Sequence, residues 1–86
     1  MNKLKKIEKL RNKIDRIDSD LVKIVAKRFK VTKKIGILKV QNNLPREDKN
    51  REIQIMEKVR KMANKLNLNN KLMESIFELI IEDAKK

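Results

Sequence analysis

Arg28 stands where an apolar side chain is expected. Ile7, Ile14, Leu21 and Ile35 fall on one heptad position, and Leu10, Ile17, Ile24, Val31 and Leu38 on the other. Position 28 is the missing member of the first series. An unpaired guanidinium is expensive to bury, so an anion should meet it there. The competing reading is that Arg28 snorkels or pairs with an acid of another helix. Lys39 lies nearly on the same face, about 16 Å further along a helix axis. Two long cationic side chains facing one another over that gap can clasp a small dianion. Arg11 flanks the same seam but lies about 42 Å from Lys39 along the helix. It can join such a pocket only from a second subunit paired antiparallel. For Lys39 and Arg11 the competing reading is a solvated helix flank. Asp48, Arg51 and Glu52 form a further group. Positions 48 and 52 are one turn apart on one helix face, so their carboxylates and the free N–H groups of a helix start can bind hydroxyls. The plainer alternative is that they cap the helix.

These side chains need elements to hold them. Apolar residues recur at steps of three and four from Leu4 to Leu38, and no turn residue interrupts them. The pattern predicts one helix over about 3–41. Gly36 within it costs about 1 kcal/mol relative to Ala, too little to end it. Asn42-Asn43-Leu44-Pro45-Arg46 is a loop signal. A second helix is expected over about 48–64, with Asp48 suited to its cap and to the positive end of the dipole. Ile53, Met56, Val59 and Met62 or Ala63 form its apolar face, and Met56, Met62 and Met73 read as core. The Asn-rich segment 64–70 breaks it. Asn69 or Asn70 can cap a third helix over about 69–85 that carries Met73, Ile76, Phe77, Ile80, Ile81 and Ala84. No stretch alternates with period two. The chain is expected to be all-α, a single domain over 1–86 with one long helix and two shorter ones.

The first helix is awkwardly long. Thirty-nine residues span about 58 Å, whereas a compact domain of 86 residues has a radius of gyration near 12 Å. Its own globule cannot cover it. The expected solution is an intertwined homodimer in which the long helices pair.

Composition narrows the chemistry. The sequence holds 24 Lys plus Arg against 12 Asp plus Glu, a formal charge of +12. It has no Cys and no His, which excludes a disulfide scaffold, a Cys or His metal site, a Cys nucleophile and a His base. No metal is expected. No apolar run approaches a membrane span and Met1-Asn2-Lys3-Leu4 is not a signal-peptide start, so a cytoplasmic protein is expected. The charge points first to nucleic acid. Against that, the only aromatics are Phe29 and Phe77, too few to stack bases, and neither a recognition-helix motif nor a disordered basic tail is present.

Leu10-Arg11-Asn12-Lys13-Ile14-Asp15-Arg16-Ile17-Asp18, Ala26-Lys27-Arg28, Ile35-Gly36 with Lys39, then Pro45, Arg46, Asp48, Arg51-Glu52 and Phe77-Glu78-Leu79-Ile80-Ile81-Glu82-Asp83 resemble the all-helical class of chorismate mutases. The likeness runs over nearly the whole chain in one register, and the pieces are more specific jointly than singly. It implies three helices, an interlocked dimer with two equivalent sites, and the Claisen rearrangement of chorismate to prephenate, on the way to Phe and Tyr. That reaction needs no cofactor, nucleophile or metal. It needs a dianion held in a compact conformer and stabilisation of the charge growing on the breaking ether oxygen.

Carried over by position, the resemblance gives Arg28 and the other subunit's Arg11 a substrate carboxylate each, which suits bidentate guanidinium geometry. It makes Lys39 the main electrostatic catalyst, on the ether oxygen and a carboxylate. Asp48, through its backbone, and Glu52 would hold the ring hydroxyl, supported by Arg51, with Ile35 and Ile81 as apolar walls. Two departures stand out. Ala84 replaces a Ser common in the family near the substrate. The sequence ends at Lys86, two positions before a Gln or Glu that commonly donates to the ether oxygen, a contact of a type worth about 10²–10³ in rate. Lys39 is then expected to act alone, or with Lys85, Lys86 or a water. Isochorismate–pyruvate lyase, which uses the same fold and similar cations, is the neighbouring alternative. A weakly active or non-catalytic relative is another, and a basic helical nucleic-acid binder is the alternative from a different class.

Overall fold

The computed structural model describes residues 2–86. Three helices follow in order, α1 (Lys3–Gln41), α2 (Lys49–Lys65) and α3 (Asn70–Ala84), with no strand among the described residues. The fold is all-α, as the periodicity predicts. The chain divides into two units, Met1–Thr32 and Lys33–Lys86.

The first unit is helix from Lys3 onward, and none of its described residues is buried. Asn2 begins it, its side-chain oxygen accepting from the Lys5 backbone N–H at 2.9 Å. The apolar stripe predicted from spacing is present and uncovered: Leu10, Ile17, Leu21 and Ile24 are all exposed. Arg28 and Thr32 are its half-buried residues, and Thr32 donates its hydroxyl to the Phe29 carbonyl at 3.0 Å.

In the second unit both helix ends that precede a loop are built alike. The Leu44 N–H reaches the Lys39 carbonyl at 2.8 Å and the Asn43 N–H that of Val40 at 3.2 Å. The Leu68 N–H reaches the Ala63 carbonyl at 2.8 Å and the Asn67 N–H that of Asn64 at 3.3 Å. These are paired six-to-one and five-to-two closures of the Schellman type. The residue at the turning point must adopt a left-handed conformation, and Asn43 and Asn67 both do so, at φ 56°. Asn tolerates this better than any other residue except Gly, which is why a chain with a single Gly places Asn at both stops.

The two later helices start on side-chain caps. Asp48 accepts from the Arg51 N–H at 3.0 Å and Asn69 from the Leu72 N–H at 3.1 Å. Both caps lie just outside their helices, so each helix begins one residue after its expected start. Of the two candidate caps for α3, Asn69 is the one used. We expect Asn69→Ala to lower the unfolding free energy by about 1 kcal/mol, read as a shifted midpoint at unchanged slope in urea. An unchanged midpoint would remove the cap from this account.

Helices α2 and α3 pack together through Val59, Ala63 and Ile81, the buried core residues. Ala63, at 1% exposure, lets the two helices approach closely. Of the pair Met62 or Ala63, Ala63 is therefore the core residue. Met62, read as core from its spacing, is 62% exposed, since it lies one residue and about 100° round the helix from Ala63.

Candidate functional site

The start of α2 and the end of α3 bring most of the second unit's candidate residues together. Asp48 serves as the cap, and its backbone carbonyl accepts the Glu52 N–H at 3.1 Å. Both its side chain and its carbonyl are thus engaged in starting the helix. Arg51 is exposed. Glu52 lies in the first turn, where the helix dipole favours a carboxylate. It is half-buried, and its Oε2 is buried with no hydrogen-bond partner among the described residues.

Its other oxygen is tied down. Lys85 Nζ lies 3.0 Å from Glu52 Oε1, 3.3 Å from Glu47 Oε1 and 3.2 Å from Glu82 Oε1. Lys85 caps the C-terminal end of α3, where the dipole favours a cation. One ammonium thus joins the negative end of α3 to the acids at the positive end of α2. Nothing in the sequence pattern announced this clasp. Its partners Glu47 and Glu52 are far from Lys85 in the chain, and only the (i, i+3) pair with Glu82 was readable from spacing.

The clasp raises the Lys85 ammonium above its ordinary value, chiefly through the hydrogen bond to Glu52, then those to Glu82 and Glu47. The folded chain therefore holds this proton more tightly than the unfolded one, in which the lysine keeps its ordinary value of 10.5. The stabilisation is fully present below pH 10.5 and is lost as pH rises towards the raised folded value. The difference in Tm between the unaltered chain and Lys85→Met is expected to be constant at neutral pH and to shrink once pH exceeds 10.5. A difference that grew in that range would contradict the sign.

Beside Glu52 lies a cavity of about 380 Å³ between α2 and α3, with Ile53, Met56, Arg60, Ile81 and Glu82 also in its lining. Arg60 pairs with Glu74 across the two helices, and that carboxylate raises its guanidinium above the ordinary value, mainly by their hydrogen bond. Ile81 is 8% exposed and lines this cavity. Ala84 is half-buried one turn later. Ile35, the other expected wall, is 46% exposed and is not part of that lining.

Lys39 is half-buried and donates from Nζ to the Arg46 carbonyl at 3.2 Å, which ties it to the loop preceding Asp48. The first unit carries Arg11, exposed, and Arg28, half-buried. Among the described residues no carboxylate pairs with Arg11, Arg28 or Lys39, whereas Arg60, Lys85 and Lys86 are all paired. Among the described residues no acid meets Arg28, so an ion pair within its own chain does not account for it, while a snorkelling side chain and an external anion both fit. Lys85 was one of the cations expected to assist Lys39, but here its ammonium is committed to carboxylates. No group of three or more carboxylates among the described residues is arranged to hold a metal ion. No described helix is long and apolar enough to cross a membrane.

Comparison with known proteins is consistent with these features. The family model described as "Chorismate mutase type II" matches residues 10–86. A chorismate mutase of Methanocaldococcus jannaschii is 32% identical over 82 residues, covering 95% of this chain and 83% of that protein. A bifunctional chorismate mutase/prephenate dehydratase of Buchnera aphidicola subsp. Schizaphis graminum is 38% identical over 74 residues, 86% of this chain. The chain spans 19% of that longer relative. A T-protein of Haemophilus influenzae is 27% identical over 84 residues, of which the chain spans 22%.

Proposed function

Since the chain belongs to the chorismate mutase type II family, we propose that it catalyses the rearrangement of chorismate to prephenate in aromatic amino-acid biosynthesis, in the cytoplasm. One observation carries this reading to the residues. Among the described residues Arg11, Arg28 and Lys39, like most cations of the chain, pair with no carboxylate, while Glu52 Oε2 is a buried acceptor without a donor. A small dianion that carries a hydroxyl answers both needs.

In this mechanism Arg28 and the other subunit's Arg11 each grip a carboxylate through paired N–H donors. Binding both carboxylates selects the compact conformer in which the bond-forming carbons approach, so the reaction starts with its orientational entropy already lost. Lys39 places its ammonium against the ether oxygen, where negative charge grows as the C–O bond breaks. It therefore favours the transition state over the bound substrate. Glu52 accepts from the ring hydroxyl, Asp48 and Arg51 keep the start of α2 in place, and Ile81 and Ile35 bound the ring, with Ala84 beside it. Breaking and forming bonds belong to one molecule, so no cofactor enters.

The site is that of a homodimer. A helical unit with no buried residue and an exposed row of Leu and Ile cannot be held by its own hydrogen bonds alone, because isolated helices are marginal in water. A second copy supplies the missing apolar cover. The test is product analysis after separate incubation with chorismate and with isochorismate. Prephenate from chorismate alone supports the reading. Pyruvate released from isochorismate, with chorismate untouched, would assign the lyase reaction instead.

A further inference from the structure

Resting on the reading above, we propose that Lys85 is a positioning residue that fixes the Glu52 carboxylate so that its free oxygen accepts the hydroxyl of the bound substrate. An ammonium has three donors, and at Lys85 three carboxylates lie within reach of them: Glu52 at 3.0 Å, Glu82 at 3.2 Å and Glu47 at 3.3 Å. None remains for a ligand, so Lys85 acts through its partners and does not touch substrate. Of those partners, Glu47 and Glu82 have side chains 54% and 69% exposed, whereas that of Glu52 is 27% exposed. Glu82 also lines the cavity shared with Ile53, Met56 and Ile81, but among the three partners it is Glu52 that has a buried oxygen with no donor among the described residues.

The geometry on Glu52 is divided. Oε1 is held by the ammonium, and Oε2 is buried without a donor. A free glutamate at a helix start would turn both oxygens to water, because a buried acceptor left unmet is costly. Its side-chain rotamers would also be dispersed. Lys85 holds the carboxylate against that tendency, with Glu47 from the preceding loop and Glu82 from α3 anchoring the lysine in turn. The unmet oxygen is then poised for a neutral donor such as a ring hydroxyl.

The hydroxyl contact is made equally in the bound substrate and in the transition state, so its loss should appear in KM rather than in kcat. Lys85→Met is expected to raise KM for chorismate about tenfold with kcat within about twofold. Lys85→Arg, which keeps the charge, should recover most of that loss. In a Glu52→Gln background Lys85→Met should cost nothing further, because residues acting through one contact are not additive. The circular dichroism of each variant is recorded alongside to confirm that it folds. If the unaltered chain leaves chorismate unconverted, the proposed function fails and this inference falls with it. If it converts chorismate and Lys85→Met does so with the same KM, the inference alone is overturned. A loss that persists in full in the Glu52→Gln background also overturns it, since Lys85 would then act independently of Glu52. Should Lys85→Met fail to fold, the same comparison is made with Lys85→Arg, whose KM should lie between that of the unaltered chain and that of Glu52→Gln.

Discussion

Lys39→Ala is expected to lower kcat/KM for chorismate by about 10²–10³, with kcat carrying most of the loss. The ammonium is the one group assigned to charge that exists only as the ether bond breaks, so its removal raises the transition state more than the bound substrate. Its position supports that role. Lys39 is half-buried, and its Nζ is steadied by the Arg46 carbonyl at 3.2 Å, an acceptor that leaves the remaining donors available and withdraws no charge. Lys39→Arg keeps the charge but spreads it over a planar fork that does not reproduce a compact point charge, and should recover activity only in part. A Lys39→Ala protein with unchanged kcat/KM would remove electrostatic catalysis by this residue from the account.

Arg11→Ala and Arg28→Ala should each reduce kcat/KM by about 10² or more, because each leaves a substrate carboxylate facing a pocket without its charged partner. Unfolded together and refolded as a mixture, the two inactive proteins should recover about a quarter of the original activity. Random pairing makes about half of the dimers mixed. In each of these, one of the two sites takes Arg28 from the Arg11→Ala chain and Arg11 from the other, and is intact. A site built within one chain would show no recovery. Recovery at the expected level therefore reports both the dimer and the crossing of Arg11 within it.

Much of the fold was legible because the local signals agree. Helical periodicity, the Asn-rich breaks and two capping residues place all three helices to within one residue of where they are found. What the pattern could not rank was burial. Met62 and Ala63 are equally apolar by spacing, and which one meets α3 depends on how closely the two helices approach. At the site, spacing pointed to Glu52 and the resemblance added Ile81, and the two share a cavity. It also offered Asp48 as either cap or hydroxyl ligand, and its side chain caps. Ile35 shares the heptad series of the seam, yet it is absent from the lining of that cavity. Series membership fixes a helix face and not what that face meets. The Lys85 clasp was invisible because it joins a loop residue, the start of α2 and the end of α3, residues brought together only by packing.

The central claim is that Arg11 and Arg28 of different chains meet one dianion together with Lys39. It is tested most directly by a crystal structure of the chain with a bicyclic mimic of the transition state. The account predicts a dimer in which each mimic carboxylate is held by a guanidinium, Arg28 from one chain and Arg11 from its partner. Lys39 Nζ would lie on the ether oxygen, and Glu52 Oε2 on the hydroxyl. A mimic bound within a single chain, or bound without Arg11 and Lys39, would contradict it.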